Sequence, residues 1–99
     1  MRFGRDIVYL TRKILLNRNI YFSNDQMNSE GRKIFEELSR MIIDEHPYLK
    51  NQVKKTRKRG DLLSFIKLSE IILGEMEVQE ILYATTHPPY VFKDTDPPY

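Results

Sequence analysis

The first helix predicted in this chain is marked by a stripe of apolar residues. The stripe comprises Phe3, Ile7, Leu10 and Ile14. Spacings of four, three and four residues place these side chains on one face of an α-helix. We therefore expect a helix over residues 3–17, which Asn19 ends by adopting a left-handed conformation.

A second helix is predicted by the sequence FSNDQM, which begins at Phe22. Ser23 can accept a hydrogen bond from the backbone amide of Gln26, and the Gln26 side chain can reach back to Ser23. Phe22 can pack on Met27, which completes a capping box with its hydrophobic staple. This pattern predicts that the second helix starts near Asn24.

This second helix is expected to be long. Its apolar stripe consists of Met27, Gly31, Ile34, Leu38 and Met41. The residue before a proline avoids the helical region, so Pro47 should end the helix by His46.

Two glycines, Gly60 and Gly74, mark the limits of a third predicted helix. Gly60 supplies a helix stop, and Asp61 supplies an N-cap for a third helix. The apolar positions of this helix are Leu62, Phe65, Ile66, Leu68, Ile71 and Ile72. Gly74 interrupts the pattern, and a short fourth helix is expected to continue to about Ala84.

These patterns predict an all-α fold, a small bundle of three to four helices with an extended Pro/Tyr-rich C-terminal tail. The bundle domain is expected over residues 1–84 and the tail over residues 85–99, which hold four of the five prolines. A length of 99 residues suits a single domain, and no apolar run is long enough to predict a membrane span. With essentially no β-sheet expected, the predicted core comprises Leu10, Ile14, Leu38, Met41, Leu62, Phe65, Ile66 and Ile72.

Charge is distributed unevenly along the chain. Residues 1–59 hold 14 Lys and Arg against 7 Asp and Glu, whereas residues 60–99 hold 2 against 7. A basic half can pair with the acidic half of the same chain, or it can face nucleic acid, anionic lipid or an acidic protein.

The densest cluster of positive charge lies in residues 50–59. Its cations are Lys50, Lys54, Lys55, Arg57, Lys58 and Arg59. No aromatic residue lies between Asn51 and Ser64, so the segment has no stacking platform for bases and sequence readout is not expected. Three interpretations stay open: contact with phosphates, contact with an acidic protein partner, or a solvated helix end.

Residue types that carry enzymatic chemistry do not form a recognisable pattern. His46 and His87 each neighbour a proline and lack a metal-ligand partner one helical turn away. The chain has no cysteine, no glycine-rich phosphate loop and no nucleophile motif. We therefore expect no catalytic activity, no cofactor, no metal site and no small-molecule substrate.

The N-terminal segment is basic and amphipathic, a pattern typical of mitochondrial targeting helices. Residues 1–19 contain five Arg or Lys residues and one acid. The stretch VYLTRKILL resembles the opening of LYR-motif mitochondrial proteins, which are small basic helical subunits of about this length. The resemblance covers about ten residues and lacks the diagnostic tripeptide, since Tyr9-Leu10-Thr11-Arg12 stands in place of Leu-Tyr-Arg. No family is assigned from it, and the compartment stays open, with an intracellular location, the mitochondrion included, compatible with the sequence.

The tail combines prolines with aromatic residues. Proline pre-orders an extended backbone, and aromatic rings supply contact area at little cost in rotamer entropy. Tyr90, Phe92 and Tyr99 are therefore predicted to contact a partner chain, with coverage of the chain's own core as the alternative.

The sequence thus predicts a non-catalytic accessory or structural subunit of a larger multi-subunit assembly. The assembly would be an organellar membrane-protein complex or a ribonucleoprotein, contacted through the basic N-terminal half and the C-terminal tail. The alternative is a nucleic-acid-associated protein that contacts RNA or DNA phosphates through residues 50–59.

Overall fold

The structure is a computed structural model that describes residues 2–86. This part of the chain is predominantly helical and contains one short β-hairpin. In chain order the elements are α1 (Arg5–Leu16), α2 (Arg18–Tyr21), β1 (Phe22–Ser23), β2 (Gln26–Met27), α3 (Ser29–Glu45), a 3-10 turn (Pro47–Leu49), α4 (Lys50–Arg59), α5 (Leu62–Leu73) and α6 (Glu75–Thr86). The prediction of a predominantly helical fold is confirmed, and the described residues contain more helices than the predicted three to four because α2 and α4 are separate helices.

The first helix ends earlier than predicted. The backbone amide of Asn17 donates to the Lys13 carbonyl, and so does the Asn17 side-chain amide at 2.9 Å. Asn17 leaves helical geometry, and the chain restarts at once as α2. Asn19 lies within α2, so the prediction that it ends the helix in a left-handed conformation is wrong.

The predicted capping box at Ser23 is also wrong. Ser23 pairs with Gln26 in an antiparallel hairpin, and Asn24 and Asp25 form its turn with φ of 53° and 63°. Asn and Asp tolerate this left-handed conformation better than most residues, and a two-residue turn of this kind matches the twist of the strands. The hairpin contributes four strand residues, so the described part of the chain has little β-sheet, in agreement with the expectation of essentially none.

The long helix begins five residues later than its predicted start near Asn24. Its N-cap is Asn28, whose side-chain oxygen accepts a hydrogen bond from the Gly31 amide at 2.8 Å. It ends at Glu45, directly before His46, as Pro47 predicts.

The predicted boundaries around the third and fourth helices are confirmed. Gly60 ends α4 in a left-handed conformation with φ 66°, and Asp61 precedes α5 as its N-cap residue. Gly74 separates α5 from α6, which continues to Thr86.

The hairpin fixes the junction between α4 and α5. The Met27 amide donates to the Gly60 carbonyl at 2.8 Å, and the Leu62 amide donates to the Asp25 carbonyl at 2.8 Å. These two bonds hold the short link between α4 and α5 on the hairpin, so the two helices leave it in fixed directions.

The core lies where α1, α3 and α5 meet. Phe35 and Phe65 are fully buried with ring centroids 6.0 Å apart in an edge-to-face arrangement. Of the predicted core residues, the structure buries Leu10, Ile14, Leu38, Phe65 and Ile72. Met41, Leu62 and Ile66 are only partly buried and pack against this core.

Within residues 2–86, no helix is both long enough and apolar enough to cross a membrane.

Candidate functional site

The basic segment forms α4, which packs into the bundle through a narrow face. Val53 and Thr56 are buried, so this segment has an inner face, which its sequence did not reveal. The Thr56 hydroxyl donates to the Gln52 carbonyl at 3.0 Å, and this bond satisfies a polar group that would otherwise be buried without a partner. A small apolar face suffices because α3 and α5 both contact α4.

One of the predicted phosphate-contacting cations is used inside the chain. The Arg57 guanidinium donates two hydrogen bonds of 2.7 Å to the Glu36 carboxylate on α3. These bonds hold the pKa of the Glu36 carboxyl below its ordinary value. Arg57 therefore helps to fasten α4 to α3 and is less available to a partner.

The lysines of α4 have no such role. Among the residues that the structure describes, no carboxylate lies within ion-pair distance of Lys50, Lys54, Lys55 or Lys58, and all four side chains are exposed. Arg59 is intermediate, because its Nε lies 3.7 Å from an oxygen of Asp61 while its side chain is 61% exposed. We call Lys50, Lys54, Lys55, Lys58 and Arg59 the cationic surface of α4.

A groove runs between α4 and α5 beside this surface. It has a volume of about 210 Å³. Its lining consists of Gln52, Lys55, Thr56, Arg59, Leu63, Ser64, Lys67 and Leu68. Three of these side chains are cationic and none is a carboxylate, so the groove is a positively charged recess.

One acid, Asp61 at the link between the two helices, lies within ion-pair distance of Arg59 in the groove lining. The Ser64 hydroxyl holds the pKa of Asp61 below its ordinary value, with a smaller contribution from the charge of Arg59. Asp61 therefore stays ionised and restrains Arg59 from one side, while Lys55 and Lys67 have no carboxylate within ion-pair distance in the described part of the chain.

Apolar surface is exposed on α5 in the groove lining, at Leu63, and beyond it, at Ile71. Leu63 is 60% exposed and Ile71 is 37% exposed. Leu63, Lys67 and Ile71 follow one another at intervals of four residues, so they form a stripe on one side of α5. Of the six apolar positions that the sequence analysis names for this helix, Phe65, Leu68 and Ile72 are buried, Leu62 and Ile66 are partly buried, and Ile71 is exposed.

The sequence identified Lys55 and Arg59 but missed Lys67, Leu63 and Ser64. Lys67 is the one cation of α5, and four residues earlier Leu63 lies on the same side of the helix. The two-residue link of Gly60 and Asp61 makes α4 and α5 neighbours in space, since connections this short join adjacent elements. This link was the signal that could have placed Lys67 beside the basic segment.

The remaining predicted residues are placed as follows. His46 lies between Phe3 and Tyr48, with ring centroids 4.4 Å and 5.8 Å away, and its Nδ1 lies 3.4 Å from the Tyr48 hydroxyl oxygen in a hydrogen bond. Tyr90, Phe92, Tyr99 and His87 lie outside the described residues. Within residues 2–86, no cluster of three His, Asp or Glu side chains has an arrangement that could hold a metal ion.

No family model, curated protein or solved structure matches this chain.

Proposed function

We propose that this protein is a non-catalytic accessory subunit that docks on a larger assembly through the cationic surface of α4. The assembly is an organellar membrane-protein complex or a ribonucleoprotein, and the subunit contacts a protein component of it. The C-terminal tail is proposed as a second docking element.

The observation that supports this proposal is the uncompensated charge on α4. Lys50, Lys54 and Lys58 follow one another at intervals of four residues, and like charges at this spacing destabilise a helix by about 0.2–0.5 kcal/mol per pair. Among the described residues four other cations have a carboxylate within ion-pair distance, in the pairs Arg12–Glu77, Lys33–Glu30, Arg57–Glu36 and Arg59–Asp61, whereas these three lysines have none. A row of unpaired lysines that lowers the stability of the free subunit is useful if an acidic surface neutralises it in the assembly.

The kind of partner is indicated by what lies beside these charges. Exposed Leu63 borders the lysines, and within residues 2–86 no aromatic ring lines the groove. Single-stranded nucleic acid is usually held by aromatic stacking as well as by charge, whereas protein interfaces combine charged rims with apolar contacts. The combination of cationic side chains with an exposed apolar side chain therefore favours a protein surface as the partner.

A nucleic-acid-associated protein is the second candidate. The row of Lys50, Lys54 and Lys58 favours it, because lysines one turn apart can neutralise phosphates without reading bases. Direct binding of RNA or DNA should then weaken as salt rises, with a logarithmic slope of roughly −0.7 to −0.9 per phosphate contacted.

The proposal is tested by quantitative co-purification of the tagged full chain from its own cells. Replacing Lys54 and Lys58 by Glu should reduce the recovered partner proteins by at least about tenfold, equivalent to about 1.4 kcal/mol. The matched control is the double replacement of Lys33 and Arg40 by Glu, which changes the same charge on the exposed side of α3. Recovery should be close to wild type in this control.

Nuclease treatment of the same preparations separates the two candidates. Partner recovery that survives nuclease supports protein docking, and recovery that disappears supports the nucleic-acid alternative. If the Lys54 and Lys58 replacements leave every partner in place, the cationic surface of α4 is not a docking surface.

A further inference from the structure

We propose that the groove between α4 and α5 receives an acidic amphipathic helix of a partner protein. The carboxylates of that helix would contact Lys55, Arg59 and Lys67, and its apolar side chains would cover Leu63 and Ile71. The inference rests on the proposed function and specifies the site and the chemistry of the partner.

The positive charge of the groove favours an occupant with negative charge. Lys55 and Arg59 come from α4 and Lys67 from α5, so cations of two different helices line the same recess. Among the described residues no carboxylate lines it, and Asp61 is within ion-pair distance of Arg59 alone. A segment with acidic side chains therefore meets attractive partners on both sides of the groove.

The apolar stripe on α5 determines that the occupant is amphipathic. Leu63 and Ile71 flank Lys67 at one helical turn on either side. The stripe extends from Leu63 to Ile71, eight residues further along α5, a length of about 12 Å at 1.5 Å per residue. The order along this side of α5 is therefore apolar, cationic, apolar at successive helical turns. A partner helix with apolar, acidic and apolar residues at successive turns matches it, and spaced contacts of this kind are typical of helix-in-groove complexes.

The size of the groove argues against a small-molecule ligand. Sites for drug-sized ligands and cofactors usually measure about 300–1,000 Å³. The groove, at about 210 Å³, is smaller and takes one or two side chains of a docked helix. It lacks the aromatic ring that would hold a nucleobase.

Site-specific photocrosslinking in the intact assembly identifies the occupant. A photoreactive phenylalanine replaces Leu63 in the full chain, and the crosslinked peptide is sequenced by mass spectrometry. The matched control carries the same group in place of Tyr9 on α1, whose side chain is also 60% exposed. The expected product from position 63 is one segment with helical apolar periodicity and net negative charge, absent from the position 9 sample.

Four results would overturn the inference. They are a crosslink to RNA or DNA, a crosslink to a second copy of this chain, a crosslink to residues 87–99 of the same chain, and no specific crosslink while the assembly stays intact. Each of these outcomes assigns the groove to another occupant or to none.

Charge exchange provides an independent test. Lys67→Glu should lower the crosslinking yield from position 63 by at least about fivefold, and replacing the facing acid of the partner by Lys should restore it. Circular dichroism of Lys67→Glu shows whether the bundle stays folded, and Lys67→Gln gives a milder variant if it does not. Reduced yield without rescue by the exchanged charge counts against the proposed pairing.

The groove inference and the proposed function fail in different ways. If Lys54→Glu with Lys58→Glu releases the partners but Lys67→Glu and Leu63→Asp do not, the cationic surface docks without the groove. If none of these replacements affects the assembly, both proposals are wrong.

Discussion

At the scale of single residues, Gly31 marks a close approach between α2 and α3. A Cβ atom at position 31 would lie 2.1 Å from the carbonyl oxygen of Tyr21, a backbone atom that cannot move aside without shifting α2. The sequence showed Gly31 within an apolar stripe, and the structure shows that the absence of a side chain lets α2 lie against the first turn of α3.

Gly31→Ala is therefore expected to destabilise the protein by about 1–3 kcal/mol, the usual range for an overpacked site. Urea unfolding followed by circular dichroism measures the change. Gly4→Ala is the matched control, because a Cβ at position 4 meets only the carboxylate end of the flexible Glu45 side chain. If both replacements cost the same, the contact with Tyr21 is not the reason for the glycine.

Phe65 is the residue that joins the helices in the core. It is fully buried, and its ring lies 6.0 Å from both Phe22 and Phe35, measured between centroids. The hairpin and α3 therefore both pack against this one side chain of α5.

Phe65→Ala should lower the free energy of unfolding by about 3–5 kcal/mol, the range measured for large aromatic deletions in cores. The exposed Leu63 on the same helix is the comparison, and Leu63→Ala should change the stability by less than about 0.5 kcal/mol. Thermal and urea unfolding measure both variants. A loss below about 1 kcal/mol for Phe65→Ala would contradict the position of Phe65 at the centre of the core.

At the scale of elements, the segment between α1 and α3 shows where local sequence patterns compete. Ser23 and Gln26 fit a capping box, yet Asn24 and Asp25 also fit a tight turn. The tertiary structure decides between them, because the Met27 amide pairs with the carbonyl of Gly60 far along the chain. By contrast, the stop at Gly60 depends on its own conformation and was predictable from sequence.

Mutation of Asn28, the observed N-cap residue of α3, and of Ser23, the cap predicted from the sequence, tests where this helix starts. Asn28→Ala removes the side-chain oxygen that accepts from the Gly31 amide and should cost about 0.5–2 kcal/mol. Ser23→Ala should cost less than about 0.5 kcal/mol, because exposed Ser23 does not cap α3. Urea unfolding of the two variants measures both effects. A larger loss in the free energy of unfolding for Ser23→Ala than for Asn28→Ala would support the helix start near Asn24 predicted from the sequence.

At the scale of the whole molecule, the fold was more predictable than the site. Stripes of Leu, Ile and Phe at helical spacing identify helices locally, whichever helix they later pack against. The site depends on pairings across the chain: Glu36 takes Arg57 out of the basic segment, and Lys67 joins it from another helix. The Arg57–Glu36 pairing has no local sequence signal, and the position of Lys67 is indicated only by the short link of Gly60 and Asp61. The charge of the surface was therefore predictable from the sequence, and its arrangement was not.

The tail provides the last test at this scale. The core of the described residues is built from α1 to α6 and their hairpin, with Val78 of α6 fully buried as its last buried apolar residue. Because this core is formed by residues that precede position 87, deletion of residues 87–99 should leave a cooperative, helical protein. Its urea unfolding midpoint should stay close to that of the full chain.

The same truncated protein should be released from its assembly if Tyr90, Phe92 and Tyr99 contact a partner. Quantitative co-purification of the truncated protein and of the full chain measures this release. A second variant, in which Ala replaces all three aromatic residues, removes the same rings while keeping the length of the tail. An unfolded truncated protein would mean that the tail covers its own domain. A folded protein that still co-purifies at full stoichiometry would leave the cationic surface of α4 as the docking element, because deleting the tail changes none of its lysines.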